Sequence, residues 1–436
     1  MALRRPRPLS PLREHLRDTF WFAPVAGLVG AVVLALGCAL VDDVYVERLQ
    51  RERDYGSLRD MIHFADTAKS IVAMIGSSVL TLVGVVFSIS LVALQMVSSQ
   101  WSQRVLRLYV RSRVTKGTFA VFLATFVFSL LVQLQYPESS DPERVSSVPF
   151  VTIAVAFLLV IAALGLFIGY VSATMSLMRV SHVVDRISRE AGRLLVLPAR
   201  PYVIEHVGER SATLVHRGRA GVLRDVHVAR LVRVASAQGV VVHLLPRIGD
   251  FLVPGTPVIA VYGEWRRPGR RRRAERAFDA ALSTGVERTF HQDLGFGLRQ
   301  LVDIALRALS PAVNDPTTAV QCVDRVQQFL AEAAGRPLGL LLHTDRAGAP
   351  RLVQDLPRWE DLVKLGFTEI RGVATRQPQV TRRLRAALED LVELAPEERR
   401  EPLLRQRELL EHAMERDVPD TTEREFALTA DRQGIG

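Results

Sequence analysis

The chemically capable side chains of this chain crowd into one stretch of its C-terminal half. It reads Arg288, Thr289, Phe290, His291, Gln292, Asp293, then continues through Asp303 to Ser310, Pro311, Ala312, Val313, Asn314, Asp315 and Pro316. A histidine among carboxylates can move protons, and a serine near such a pair can act as a nucleophile. An enzyme built here would modify lipid close to the membrane surface, using Asp293, His291 or Asp303 from a cleft that perturbs at least one pKa. The local pattern argues against it. Ser310 precedes Pro311 and so lacks the strand-to-helix elbow that exposes a nucleophile. Leu298, Leu301, Ile304, Ala305 and Ala308 form one apolar face, which predicts a helix running to about Leu309 and stopping at Ser310 and Pro311. Asp315 then caps a following helix that has Pro316 at its first position and turns Ala319, Cys322, Val323, Val326 and Leu330 inward. Capping accounts for Ser310, Pro311, Asp315 and Pro316. It leaves Arg288, His291, Gln292, Asp293, Asp303 and Asn314 as a functional or structural motif, and the expectation is no catalytic residue, no cofactor and no metal site.

A second polar set lies inside an apolar run. Ser77, Thr81, Gly84, Ser88, Gln95 and Ser98 recur at steps of three and four, or their sum, so they share one helix face. Such a stripe can let neighbouring helices approach closely. It can also line a hydrated pathway, where hydroxyls and amides solvate ions or small polar solutes. A further ridge, Gly165, Gly169 and Ala173, has the small-xxx-small spacing of close helix contact, within one subunit or between subunits.

The elements that must carry these faces are four apolar runs without a charged residue, Trp21–Val41, Ser70–Val97, Gly117–Tyr136 and Val148–Met178. At about 1.5 Å rise per residue each can cross a hydrocarbon core of about 30 Å. Orientation follows the short loops. Five arginines precede the first span, and the loop Ser98–Lys116 carries Arg104, Arg107, Arg111, Arg113 and Lys116 with no acid. Arg179, Arg186, Arg189 and Arg193 follow the fourth span, whereas Pro137–Ser147 holds only Arg144 beside Glu138, Asp141 and Glu143. Asp42–Lys69 is mixed in charge and is read as the first external loop. Both termini are thus expected in the cytoplasm of a bacterium, with the chain in its inner membrane. With no Asp, Glu, Lys, Arg or His inside the spans, a proton-coupled carrier is disfavoured.

The 436 residues carry a formal net charge of +10, with 23% charged and 48% hydrophobic side chains. The lysines are Lys69, Lys116 and Lys364; the other basic residues are arginines. Basic clusters beside membrane spans are explained by topology and by anionic lipid, so no nucleic-acid partner is expected. Arg266–Arg276 is the densest run; it is read as a solvated helix face or as a contact with anionic headgroups. The two cysteines, Cys38 and Cys322, fall in different halves and show no metal-ligand spacing.

After an amphipathic helix over Val180–Leu197, the period changes to two between Tyr202 and Tyr262. Gly249 to Val258 resembles the turn-and-strand pattern of barrel-sandwich carriers, but the lysine such carriers modify is missing. A hairpin is expected from Leu338–His343 and Leu352–Val353, then helices near Pro378–Leu394 and Pro396–Arg416, then a tail or docking strip.

Several of these segments together resemble the bacterial DUF2254 family of predicted membrane proteins. They are Phe20–Pro24, Gly84–Ser88, Leu94 and Gln95, Ser98–Gln100, Gln292 and Asp293 through Asn314–Pro316, and Asp431–Gly436. The resemblance spans almost the whole chain, and Ala308–Pro316 is its most specific part. Gln103 departs from it, where a proline would precede Arg104. The family implies the architecture and no activity.

The expected fold class is therefore a four-helix transmembrane domain with a cytoplasmic α+β region, the latter combining a small barrel-sandwich-like β module and a helical module. The expected divisions are an N-terminal segment 1–20, the membrane domain 21–178, a connecting helix 179–200, a β-rich module 201–264, a helical module 265–418 and a tail 419–436. The favoured function is an oligomeric pore or channel-like transport protein, in contact with the bilayer and with its own copies. The alternative is a membrane-anchored scaffold or sensor binding a protein or small ligand at Arg288–Pro316.

Overall fold

The computed structural model describes residues 19–100, 112–136, 145, 147–195, 200–201, 209–290 and 292–435, with the backbone alone at 97–100, 177–178 and 200–201. His291, most of the Ser98–Lys116 loop and most of Pro137–Ser147 lie outside these residues, as does the Ser98 side chain. Two compact units divide at Arg179 and Val180.

The membrane unit contains helices α1 (Phe22–Glu52), α2 (Tyr55–Gln100), α3 (Arg113–Gln133) and α4 (Phe150–Met178). All four are long and apolar enough to cross a membrane. α1 has 31 residues and α2 has 46. At about 1.5 Å per residue they run for roughly 46 and 69 Å, well beyond a ~30 Å hydrocarbon core. Asp42–Lys69 is therefore not a loop, contrary to the sequence reading: the chain stays helical and reverses at Arg53 and Asp54. Arg53 adopts the left-handed conformation that ends a helix (φ 56°), and its amide donates to the Gln50 and Leu49 carbonyls. Asp54 then caps α2, accepting from the Ser57 amide at 3.1 Å and its hydroxyl at 2.6 Å. Mixed charge misled the sequence reading because an exposed helix surface and a loop share that composition. The buried side of this hairpin stem is apolar, with Val46, Leu49, Leu58, Met61, Ile62 and Ala65 in one cluster with Phe128, Val132, Val148 and Ile153.

α3 packs against the other three helices. It buries Phe119, Phe122, Phe128 and Val132, together with Thr118 and Thr125, whose hydroxyls donate back to the Val114 and Val121 carbonyls at 2.9 and 2.8 Å. That back-bonding lets a hydroxyl be buried without an orphaned proton. Asp42 does the reverse job across the unit. It is wholly buried on α1 and accepts from the Val151 amide at 2.7 Å, the Thr152 amide at 3.1 Å and the Thr152 hydroxyl at 2.6 Å. An aspartate from one helix thus caps the N-terminus of another, where free amides and the helix dipole favour a carboxylate.

The C-terminal unit opens with the amphipathic helix α5 (Val180–Gly192), which buries Val183, Val184, Ile187 and Ala191. Its strands are β1 (Arg200–Pro201), β2 (Arg210–Val215), β3 (Gly221–Val226), β4 (Val241–Leu244), β5 (Phe251–Leu252), β6 (Pro257–Tyr262), β7 (Leu282–Gly285), β8 (Leu340–Thr344) and β9 (Pro350–Asp355). They form two open sheets, ordered β1-β8-β9-β4-β6-β2 and β5-β3-β7. No closed barrel forms among the described residues, which corrects the barrel-sandwich expectation at that level. β9 pairs in parallel with β4, so strands on either side of residue 264 share one sheet. Helix α6 (Val228–Gln238) interrupts the expected run of strands; Leu231 and Ala235 turn into the core, and Gly239 (φ 71°) ends it. Helix α7 (Arg271–Asp279) buries Ala274 and Phe278 against the same core of Leu223, Val242, Leu244, Ile259 and Val261.

The helical part comprises α8 (Leu294–Ala308), α9 (Pro316–Ala334), α10 (Trp359–Ala374), α11 (Pro378–Leu394), α12 (Glu401–Asp417) and α13 (Thr421–Leu428). Beyond α13 the tail docks on α11. Arg432 pairs with Asp390 at 2.8 Å, and the Gln379 amide donates to the Gly434 carbonyl at 2.7 Å.

Candidate functional site

The first half of the Arg288–Pro316 motif gathers around the N-terminus of α8. Asp293 is only 3% exposed. Its carboxylate takes a two-point contact from Arg288, Nε to Oδ2 at 2.6 Å and Nη2 to Oδ1 at 3.0 Å, and caps α8 by accepting from the Phe296 amide at 3.1 Å. This is the fork geometry that suits a guanidinium to a carboxylate. Burial pushes the Asp293 carboxyl up from its ordinary range, opposed by Arg288 and by the Phe296 and Gly295 amides. The Arg288 guanidinium also lies over the Phe296 ring at 5.8 Å. Gly249 closes the pair from the other side. Its φ is +99°, and a Cβ there would sit 2.5 Å from Arg288 Nη2 and 2.7 Å from Asp293 Oδ2. Nothing in the sequence singled out this glycine as a partner of Asp293, because 44 residues separate them.

Gln292 has a different task. Its side-chain amide accepts from the Val226 amide at 3.0 Å and donates to the Val226 carbonyl at 3.1 Å. It pairs with the end of β3 as a neighbouring strand would, and so ties the start of α8 to the small sheet. Asp303, one face along α8, accepts from Arg299 Nε at 2.7 Å, and Arg299 also grips Glu369 on α10. That shared contact holds the Arg299 guanidinium above its usual range and Glu369 below its own.

The second half of the motif lies at the other end of α8. Ser310 Oγ donates to the Arg307 carbonyl at 2.7 Å, and the Ser310 carbonyl accepts from the Val313 and Asn314 amides. Asn314 is left-handed (φ 47°), and its Oδ1 accepts from Gln377 at 2.8 Å. Asp315 caps α9, accepting from the Thr318 amide at 3.0 Å and from the Thr318 hydroxyl, with Pro316 in the first turn. The capping roles expected for Ser310, Asp315 and Pro316 are the ones observed. α8 has 15 residues, or roughly 22 Å of axis at the usual rise. Asp293 and the Ser310–Pro316 turn therefore do not converge on one reacting centre. The described side chains serve capping, cross-linking and packing, and no cluster of three His, Cys, Asp or Glu among the described residues could hold a metal.

The membrane unit brings its polar residues together more tellingly. α2 has two faces with a seven-residue repeat. Leu58, Ala65, Val72, Val79, Val86 and Ala93 are all buried inside the unit. On the opposite face Asp60, Thr67, Met74, Thr81, Ser88 and Gln95 form one line, and His63, Ser70, Ser77, Gly84 and Leu91 a second beside it; every one of them is exposed. Ser77, Thr81, Gly84, Ser88 and Gln95 are thus one stretch of a longer seam that turns away from the other helices of the unit. Ser77 Oγ donates to the Met74 carbonyl at 2.9 Å, Thr81 Oγ1 to Ser77 at 3.1 Å and Ser88 Oγ to Gly84 at 3.0 Å. With their protons held by the helix, these hydroxyls offer lone pairs outward. Gly165 and Gly169 of α4 are exposed as well, and a Cβ at either would meet nothing within 4 Å, so these glycines have no packing partner among the described residues.

The family model for DUF2254, described as "Predicted membrane protein", matches residues 17–390. The chain belongs to this family. Among curated relatives, uncharacterised proteins of Mycobacterium bovis and Mycobacterium tuberculosis are each 27% identical to this DUF2254 member, over 96% of this chain and 80% of theirs. No solved structure matches it.

Proposed function

We propose that this DUF2254 protein is a subunit of an oligomeric pore of the bacterial inner membrane. α2 lines the pathway, and the C-terminal unit assembles or gates it from the cytoplasm. The observation that carries this reading is the exposed polar seam of α2. A helix facing only lipid gains nothing from Ser, Thr, Gly and Gln on its outer face, whereas a hydrated pathway needs groups that replace solvent. Because the hydroxyl protons point back to helix carbonyls, the seam presents acceptors. Acceptors solvate cations and water better than anions. The seven-residue spacing suits helices that wind around one another, so copies of α2 can keep this face inward along its length.

The scaffold reading locates binding in Arg288–Pro316. Among the described residues there, Arg288, Gln292, Asp293, Asp303, Ser310, Asn314 and Asp315 are already engaged in capping and in cross-links, which favours the pore. Planar-bilayer recording of the purified protein, with mass analysis of the detergent complex, tests it. The expected result is a stepwise cation conductance from an oligomer, altered when Ser77, Thr81 and Ser88 become Leu. A monomer without conductance under varied voltage, tension and ions would overturn it.

A further inference from the structure

The Arg266–Arg276 segment carries seven arginines and one acidic residue, Glu275. Phe278 and Ala274 anchor α7 in the core, so its outward positions are set by the fold and are not a matter of a loose tail. Arg266, Arg267, Arg270, Arg272, Arg273 and Arg276 are all exposed. Only Arg271 is paired among the described residues, with Glu275 at 2.8 Å, and its guanidinium stacks over Trp265 at 5.5 Å. So many like charges on one short element repel one another, at a cost that a structural role would not require. An anionic surface removes that cost.

We propose that this arginine face docks on the phosphate-bearing headgroups of anionic phospholipids in the bilayer that anchors the chain. Two observations favour lipid over nucleic acid. The unit starts at Val180, directly after α4 and Arg179, so the membrane surface is present at a high effective concentration at all times. The arginine run itself holds one aromatic residue at most within reach, the half-buried Trp265 beneath Arg271, and so lacks the exposed rings on which bases stack. Each arginine near an anionic surface strengthens the association about five-fold at low salt. The proposal is independent of whether the chain conducts.

Amide hydrogen exchange on the full-length protein in lipid nanodiscs tests it. In discs containing phosphatidylglycerol the amides of 268–279 should exchange at least about five-fold more slowly than in purely phosphatidylcholine discs. Raising the salt to 0.5 M should erase the difference, because screening then acts within a few ångströms. The variant Arg267→Gln, Arg270→Gln, Arg272→Gln, Arg273→Gln removes exposed groups without ion pairs and should exchange alike in both discs. Equal exchange of the unaltered protein in the two discs would overturn the proposal whatever the variant does. So would protection that appears only when RNA is added to phosphatidylcholine discs.

Discussion

Asp42 offers a direct test of how the membrane unit is held together. Replacing it by Ala strips the N-terminus of α4 of its only described side-chain cap and leaves the Val151 amide, the Thr152 amide and the Thr152 hydroxyl without their acceptor. Losing a helix cap costs about 1 kcal/mol. A buried donor left without a partner costs about 1–3 kcal/mol more, and the lost attraction between carboxylate and helix dipole up to about 2 kcal/mol. These terms overlap, so about 3 kcal/mol is the expected net. Cys38 sits one turn before Asp42 and is 6% exposed, which makes its thiol a reporter of local opening. A 3 kcal/mol loss corresponds to roughly 160-fold faster maleimide labelling of Cys38, followed by peptide mass spectrometry so that Cys322 is counted separately. Asp42→Asn keeps one acceptor and should fall between. Asp43→Ala, a neighbour without this cap, should change the rate less than about three-fold. An Asp42→Ala protein labelled no faster than Asp43→Ala would refute the capping argument.

Gly249→Ala should destabilise the protein by about 3 kcal/mol, since it forces a left-handed alanine and drives a methyl into the Arg288–Asp293 pair; a thermal melt unchanged within a degree would contradict this. Gln292→Leu breaks both bonds to Val226 and should cost about 2 kcal/mol, with faster exchange of the Val226 amide as the local readout. Asp345 is held down to about 2 by Arg351, by the Ala349 and Ala347 amides and by Ser236. A carboxyl lowered in the folded state adds stability above its unfolded pKa near ~4, and that contribution fades as pH falls toward 2. The melting temperature of the wild type should therefore drop more steeply over that window than that of Asp345→Asn. Burial lowers His243, with Asp355 opposing and Arg210 assisting. Its contribution is present above the unfolded pKa near ~6.5 and is lost as pH falls through the folded value, so His243→Gln should flatten the stability profile on the acid side of neutrality.

Much of the architecture was legible because it rests on local properties. An uncharged apolar run reports a membrane span whatever surrounds it, and Asp315 followed by Pro316 reports a helix start through its own backbone chemistry. The same logic failed where composition is shared by two structures. Asp42–Lys69 carries loop-like charge, yet its apolar residues recur on one face and pack the hairpin stem. α6 was hidden among strands because Leu231 and Ala235 are a short signal beside long β-like runs.

The sequence by itself determined that this chain has four apolar runs long enough to cross a membrane, that these runs hold no Asp, Glu, Lys, Arg or His, and that one of them carries a polar stripe. Only the tertiary structure decided which way that stripe faces. Helix periodicity relates residues to one another, but the choice of the buried side depends on α3 and α4 packing against Val72, Val79 and Val86. Long-range pairings were likewise invisible in the chain: Asp42 meets Thr152 across 110 residues, and Gly249 meets the Arg288–Asp293 pair from a separate loop. Each depends on where independent elements come to rest, which side-chain chemistry along one segment does not encode.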